Sequence, residues 1–255
     1  MKKIGLITLT VLLCFIAGCG ERAKITKLAE LSNKQIAVPT GTVADKLVLE
    51  KFPAAKIVYL NSVLDAALAV KTHKADAAAY DEPILRNIAA KNPGLRVLPD
   101  PITTDDYGYA MRLTDTDLKA AVDGVVAEMK AAGEYEAMVK RWLPASGEPG
   151  PMPVIAEATG TVLRFGTAAI TEPFSYVDGS QKIVGLDIEI ARRVALKLGR
   201  RLEIVNMDFG AMIPALIAGK VDMIGACITI TKERAEKVLF SEPYYRGGIS
   251  AIVAE

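Results

Sequence analysis

Short apolar runs alternate with helical patterns of about ten residues along the front of the chain. The predicted strands are residues 35–38, 56–59, 75–80 and 95–98, and helices are predicted from about residue 43 to residue 52, at 63–70 and at 82–91. Strands separated in this way form βαβ units, because a parallel neighbour is reached only through a crossover connection. The alternation therefore predicts an α/β fold with a mostly parallel sheet.

The same alternation returns behind a stretch rich in proline and glycine. Residues 107–112 are predicted to be extended, and residues 118–129 and 135–143 to be helical. Residues 144–160, PASGEPGPMPVIAEATG, form the one clear linker, because proline and glycine interrupt regular structure. The strands predicted beyond it are 162–166, 202–205 and 221–224, and the helices are 186–198 and 212–218. We therefore expect two α/β lobes.

The N-terminus has the features of an export signal. A basic start, Met1-Lys2-Lys3, precedes an uncharged apolar run over residues 4–17, which is shorter than the roughly 20 residues that a membrane span needs. Gly18-Cys19 follows at the end of this run and resembles a bacterial lipobox. We predict a lipoprotein signal peptide over residues 1–18 and lipidation of Cys19. An ordinary signal peptide with a chance cysteine is the alternative.

Composition and motifs argue against several functions. The chain has 255 residues, 24% of them charged, and a formal net charge of +1, so nothing indicates a nucleic-acid partner. With Cys14 in the signal and Cys19 acylated, Cys227 has no partner for an internal disulfide. No Cys-x-x-Cys, His-Glu-x-x-His or Gly-x-Gly-x-x-Gly pattern occurs. We therefore predict no cofactor, no metal and no catalytic residue.

One segment carries a family resemblance. Residues 225–245, GACITITKERAEKVLFSEPYY, resemble the ligand clamp and first hinge of the polar-amino-acid binding proteins of bacterial ABC importers, which are family 3 solute-binding proteins with the two-lobed type II periplasmic-binding-protein fold. Residues 163–255 look like the beginning of that family, and residues 25–143, with KADAAAYDEP and YGYAMR, look like its end. The resemblance therefore implies a circularly permuted lobe order.

The permutation implies a division of the chain. Residues 19–106 are expected to form lobe two, completed by a strand at 249–255, and residues 107–143 to return to lobe one. Residues 144–161 would be the linker, and residues 162–248 lobe one with the clamp and a hinge at 244–248. A truncated module of a tandem protein is the alternative.

The resemblance also implies a site for the carboxylate of an amino acid. Arg234 matches the arginine of the family that binds the α-carboxylate, and a guanidinium can make the two parallel contacts that a lysine cannot. Thr229 matches a hydroxyl that holds the same group, and Cys227 stands where a backbone contact is expected. Thr42, with the backbone N–H of Val43, matches the contribution of lobe two.

The rest of the implied site holds the ammonium group and the side chain. Asp81 matches the acid that takes the α-ammonium, although an aspartate before Glu82-Pro83 could instead be a helix N-cap. Phe209 matches an aromatic that stacks on the ligand, with a place in the core as the alternative. Tyr80 and Glu172 are expected to line the side-chain pocket.

The resemblance thus implies an extracytoplasmic lipoprotein in the periplasm or at the cell surface. It would be a monomer that captures a polar amino acid and delivers it to an ABC permease. Two alternatives remain open. Some proteins of this fold are dehydratases that use a carboxylate in the cleft as general acid, for which Glu172 is the candidate here. The third possibility is a sensor or scaffold lipoprotein whose cleft no longer closes on a ligand.

Overall fold

The computed structural model describes residues 24–144 and 148–255. The predicted signal peptide and the lipidation of Cys19 lie outside these residues. Within the described part of the chain, no helix is long and apolar enough to cross a membrane.

The front half of the chain folds as alternating strands and helices. Its strands are β1 (Gln35–Pro39), β2 (Lys56–Leu60), β3 (Ala77–Asp81), β4 (Leu95–Val97), β5 (Asp105–Tyr107) and β6 (Ala110–Met111). Its helices are α1 (Ala44–Lys51), α2 (Val63–Lys71), α3 (Glu82–Lys91), α4 (Thr116–Ala131) and α5 (Glu134–Trp142), preceded by a 3-10 turn at Leu28–Leu31.

The back half repeats this alternation of strands and helices. Its strands are β7 (Val162–Thr167), β8 (Ile170–Thr171), β9 (Ser175–Val177), β10 (Ile183–Val184), β11 (Arg201–Asn206), β12 (Met223–Ile224), β13 (Leu239–Phe240), β14 (Tyr245–Gly247) and β15 (Ile249–Ala254). Its helices are α6 (Leu186–Lys197), α7 (Met212–Ile217) and α8 (Lys232–Ala235), with a 3-10 turn at Phe209–Ala211.

Each half contains a five-stranded sheet that borrows one strand from the other half. The front sheet has the order β2-β1-β3-β15-β4, and the back sheet has the order β11-β7-β12-β6-β13. In both sheets three parallel strands are followed by an antiparallel strand, which is β15 in the front sheet and β6 in the back sheet. The two halves are therefore built on the same plan.

The halves are joined by a two-stranded antiparallel ribbon. β5 pairs with β14, and Tyr107 lies opposite Tyr245. A further three-stranded antiparallel sheet, β8–β10, precedes α6. The extended segment predicted at 107–112 is divided between the ribbon and the back sheet, because the chain passes from one to the other at Gly108 and Tyr109.

Buried side chains hold the central strands of the front sheet and the end of α5 in place. β3 is buried on both faces, as the continuous apolar run of a central parallel strand predicts. β15 is almost entirely buried beside it. Among the largest fully buried side chains is Trp142, at the end of α5, whose indole N–H donates to Glu189 of α6 at 2.8 Å. These contacts attach α5 to the back half, and the predicted α/β class is confirmed.

Candidate functional site

A cavity of about 710 Å³ lies between the two halves. It forms where loops leave the carboxyl ends of the strands, which is the usual position of ligand sites in open α/β sheets. Its walls come from both halves. The polar and aromatic side chains among them are those of Thr40, Thr42, Asn61, Ser62, Tyr80, Thr171, Asp208 and Phe209.

A second cavity, of about 410 Å³, adjoins the first and contains Arg234. Both cavities are lined by Gly41, Phe209 and Gly210. Gly41 has a φ of +81°, and a Cβ there would lie 3.2 Å from the Cα of Gly210. Glycine at position 41 therefore allows both a left-handed turn and a close backbone approach between the halves.

Arg234 is held at the edge of this cavity by the short helix α8. Thr231 caps the helix by accepting a hydrogen bond from the N–H of Arg234 at 3.2 Å. The Arg234 guanidinium donates to the carbonyl oxygen of Thr229 at 3.0 Å and lies 5.6 Å from the centre of the Phe209 ring. Burial lowers the pKa of Arg234, and the negative charge of Asp81 opposes that shift.

The guanidinium lacks a carboxylate partner in the described part of the chain. None of the ion pairs among those residues involves Arg234. Removing a cation from water without a counter-ion is costly, so a partly buried guanidinium of this kind favours an anionic ligand.

Asp81 ends β3 and is only 5% exposed. It occupies the N-cap position of α3, but its side chain makes no capping hydrogen bond, so the alternative role predicted for it is not realised. Its carboxylate instead accepts a hydrogen bond from the hydroxyl of Tyr107. Burial raises the pKa of Asp81 to about 7, although the Tyr107 hydroxyl and the charge of Arg234 act in the opposite direction.

Thr229 and Cys227 lie in the buried clamp beside Arg234. Thr229 forms an isolated β-bridge with Tyr107. Cys227 has a φ of 53°, and its N–H donates to the carboxylate of Asp187 at 3.2 Å. The N–H of Cys227 is thus engaged inside the protein, so the backbone contact expected at this position would have to come from its carbonyl oxygen and stays a prediction.

The contribution from the front half comes from the turn before α1. Thr42 lines the cavity, but its hydroxyl donates to the carbonyl oxygen of Pro39 at 3.0 Å and accepts from the N–H of Ala44 at 3.3 Å. The hydroxyl therefore shapes the turn. Val43 occupies the N-cap position of α1, where backbone N–H groups at the start of a helix lack intrahelical partners.

Tyr80 and Glu172 are placed differently from each other. Tyr80 lines the larger cavity. Glu172 lines neither of the two cavities described above, and its carboxylate pairs with the Lys91 ammonium at 2.6 Å. The expectation that Glu172 lines the side-chain pocket is corrected accordingly, because α3 brings a cation to it.

Tyr107 is the residue of this site that the sequence analysis missed. It was read only as part of an extended segment, but its hydroxyl reaches Asp81 from the joining ribbon. A tyrosine directly before a glycine is a weak signal, and only the pairing of β5 with β14 gives it this position. Within the described residues, no group of three or more histidine, cysteine or acidic side chains could hold a metal ion.

Comparison with known proteins identifies the class of the back half. Residues 163–255 match the model of bacterial extracellular solute-binding proteins, family 3. The match confirms the resemblance to this family over these residues and agrees with the α/β fold class. The swapped lobe order stays a prediction.

Individual relatives carry the names of amino-acid-binding proteins. The chain is 42% identical over 83 residues to the arginine-binding extracellular protein ArtP of Bacillus subtilis, covering 32% of each protein. It is 27% identical over 128 residues to the putative ABC transporter arginine-binding protein 2 of Escherichia coli, covering 48% of this chain and 53% of that protein. The chain thus spans between 32% and 53% of the length of these relatives.

A solved structure is similar to this chain in sequence over a comparable share of its length. An ancestral arginine-binding protein bound to arginine is 46% identical over a region covering 34% of this chain and 38% of that chain, with a TM-score of 0.33. A score of that size says nothing about how the two halves are arranged. The names of these relatives are those of binding proteins, which agrees with the prediction that the chain is not an enzyme.

Proposed function

We propose that the chain captures a polar amino acid between its two halves and delivers it to an ABC permease. The observation that carries this proposal is the partly buried Arg234 guanidinium, which lacks a carboxylate partner in the described residues and lies close enough to Asp81 to affect its pKa. An α-amino acid presents a carboxylate and an ammonium group close together. Arg234 with Thr229 would take the carboxylate, and Asp81 the ammonium.

The side chain of the ligand would enter the larger cavity. Phe209 would stack on it, since the ring lines both cavities, and Tyr80 would line the pocket. Besides the arginine-binding relatives, the chain is similar to a protein named a probable histidine-binding protein and to one named a glutamine-binding protein, which makes these three amino acids the first probes. The backbone N–H groups at Val43 would add to the carboxylate site from the front half.

The dehydratase alternative loses its candidate acid. Glu172 forms an ion pair with Lys91, and Lys91 also lies 2.9 Å from Glu148. A carboxylate engaged in an ion pair outside the two cavities is not positioned to give a proton to a ligand in the cleft and is a poor candidate for a general acid. Binding without catalysis is therefore the better proposal.

The cellular setting is part of the same proposal. The resemblance of residues 1–19 to a lipoprotein signal supports export and attachment to a membrane through Cys19. The anchor is tested by labelling with radioactive palmitate. The label should be recovered from the purified protein and should not be recovered from Cys19→Ser. A single monomeric species in light scattering would test the predicted oligomeric state.

The swapped lobe order is a further proposal. β15 would be the strand that enters lobe two after the hinge, and its place between β3 and β4 supports this reading. A reordered chain, with residues 160–255 followed by residues 24–143, should fold and bind the same amino acids. A reordered protein that aggregates or binds nothing would contradict the permutation.

The site itself is tested by thermal shift and calorimetry. Each common L-amino acid, beginning with arginine, histidine and glutamine, is added to the purified protein, and binding should raise its melting temperature. Arg234→Ala should weaken the binding of the best ligand by roughly 3–5 kcal/mol, as for one partner removed from a buried pair. Arg201→Ala, at an exposed position of β11, is the matched control. Unchanged affinity in Arg234→Ala would refute the assigned site.

A further inference from the structure

The hydroxyl of Tyr107 makes two hydrogen bonds at the junction of the halves. It donates to Oδ1 of Asp81, at the end of β3, and accepts from the backbone N–H of Gly248 at 3.1 Å. The side chain is fully buried. The same oxygen therefore connects the acid of the front half with the chain segment that follows β14.

The backbone of Tyr107 is fixed from the other side. It pairs with Tyr245 in the ribbon, forms a β-bridge with Thr229, and its carbonyl oxygen accepts from the N–H of Tyr244 at 3.0 Å. One residue thus spans the distance from the clamp threonine to the buried carboxylate of Asp81.

Packing leaves the ring little freedom. The Tyr107 ring stacks on Tyr245 with centroids 5.8 Å apart and meets the edge of Phe174 at 6.2 Å. A Cβ at Gly247 would come within 2.5 Å of the Tyr107 hydroxyl oxygen. The absence of a side chain at position 247 therefore lets the hydroxyl approach Asp81 and Gly248 together.

We propose that Tyr107 is a positioning residue for the ammonium site, which fixes the orientation of the Asp81 carboxylate and ties it to the ribbon joining the halves. The inference rests on the proposed function, since it assigns a task to Asp81. Closure of the cleft would then require Asp81 and the ribbon to keep their relative positions, because the Tyr107 hydroxyl is hydrogen-bonded to both.

Several groups influence the ionisation of Asp81. Arg234 of α8 and the Tyr107 hydroxyl favour its charged form, whereas burial and Asp105 of β5 disfavour it. Tyr80, its neighbour on β3, and Cys227 of the clamp interact with it electrostatically as well. Of these groups, Tyr107 alone donates a side-chain hydrogen bond to the carboxylate within the described residues.

The test compares Tyr107→Phe with the wild type. The substitution keeps the ring but removes both hydrogen bonds, so binding of L-arginine, L-histidine or L-glutamine, whichever the wild type binds, should weaken about 10- to 100-fold at neutral pH. The pH at which binding falls on acidification should also move upward, because the carboxylate loses a donor that stabilises its charge. A residue with a purely structural role would not move that midpoint.

Two controls isolate the effect. Tyr59→Phe removes a hydroxyl that donates to the Asp45 carboxylate at 2.9 Å on the exposed side of the front half, and it should leave affinity and midpoint unchanged. If arginine is the ligand, 5-guanidinopentanoic acid, which lacks the α-ammonium group, should bind wild type and Tyr107→Phe equally.

A second variant covers the case in which Tyr107→Phe does not fold. 3-Fluorotyrosine at position 107 is a stronger donor of nearly the same shape, and it should move the acid midpoint downward. If the wild type binds none of the common L-amino acids, the proposed function fails. If binding in the wild type and loss of binding in Arg234→Ala stand, but neither substitution at position 107 shifts affinity or midpoint, only the role of Tyr107 is overturned.

Discussion

The ammonium of Lys91, in the last turn of α3, lies 2.6 Å from the carboxylate of Glu172, between β8 and β9. The two residues belong to different halves of the chain, so this ion pair crosses the junction on which ligand capture would depend. Both side chains are about one-third exposed, which limits the energy that the pair contributes.

Removing the Lys91 ammonium should favour an open cleft. We expect Lys91→Met to weaken ligand binding by about 0.5–1 kcal/mol at low ionic strength, with the difference shrinking in high salt as the wild-type pair is screened. Calorimetry at about 20 mM and about 500 mM NaCl measures the difference in binding free energy at weak and at strong screening. Lys197→Met breaks an exposed ion pair with Glu128 of α4, neither residue lines the two cavities, and the substitution should change nothing. An equal loss of binding free energy at both salt concentrations would show that the Lys91–Glu172 ion pair does not act through its charges.

The ring of Phe209 should contribute to affinity through both the ligand and Arg234. The guanidinium lies 5.6 Å from the ring centroid, within the range of a cation–π contact. Phe209→Leu should therefore weaken binding by about 0.5–2 kcal/mol. Phe209→Trp, which keeps an aromatic face, should retain most of the affinity in the same titration. Equal losses in both variants would show that shape, and not the aromatic face, determines the effect.

Asp187 should make the protein more stable in mild acid than at neutral pH. It is fully buried, and burial raises its pKa to about 7 although it accepts hydrogen bonds from the N–H of Cys227 and the hydroxyl of Tyr109. Its ordinary value is 3.8, so between about pH 4 and pH 7 the folded protein holds a proton that the unfolded chain releases. The free energy of unfolding therefore falls as pH rises through that window.

Chemical denaturation at pH 5.5 and 7.5 tests this sign. Asp187→Asn should remove about 1–2 kcal/mol of the difference in stability between those two pH values, since the amide cannot ionise. Asp117→Asn, exposed in the first turn of α4, should preserve the wild-type difference. Asp81 titrates in the same window, so part of the pH dependence should persist in Asp187→Asn.

Glu189 should stabilise the attachment of α5 to α6. Its carboxylate is fully buried and accepts from the Trp142 indole at 2.8 Å and from Arg141 at 2.5 Å, with Arg193 at 3.2 Å. Glu189→Ala leaves these donors without an acceptor and should cost about 3–5 kcal/mol of unfolding free energy. Glu128→Ala breaks an exposed pair with Lys197 and should cost under about 1 kcal/mol in the same urea titration.

The long elements of the fold could be predicted from sequence because their signals are local. α3 begins and ends at the predicted residues, since Pro83 and the apolar spacing define it. The short strands β8–β10 and β13 were missed, because two or three residues carry no periodicity. The extended run at 107–112 was recognised, but its division between two sheets depends on partners more than 100 residues away.

The site shows the same limit. Arg234, Asp81 and Phe209 were found because a motif marks them, and the structure brings them to the junction between the halves. Glu172 was misplaced because nothing near it in sequence reveals that Lys91 approaches from α3. The engagement of the Cys227 N–H by Asp187, and the reach of Tyr107 to Asp81, arise from tertiary contacts that no spacing records.

The exchange of strands between the sheets has a consequence for biosynthesis. β4 pairs in its sheet only with β15 among the described strands, so it has no partner until residues 249–254 have been synthesised. The front sheet would then remain incomplete while the ribosome is still translating its last strand.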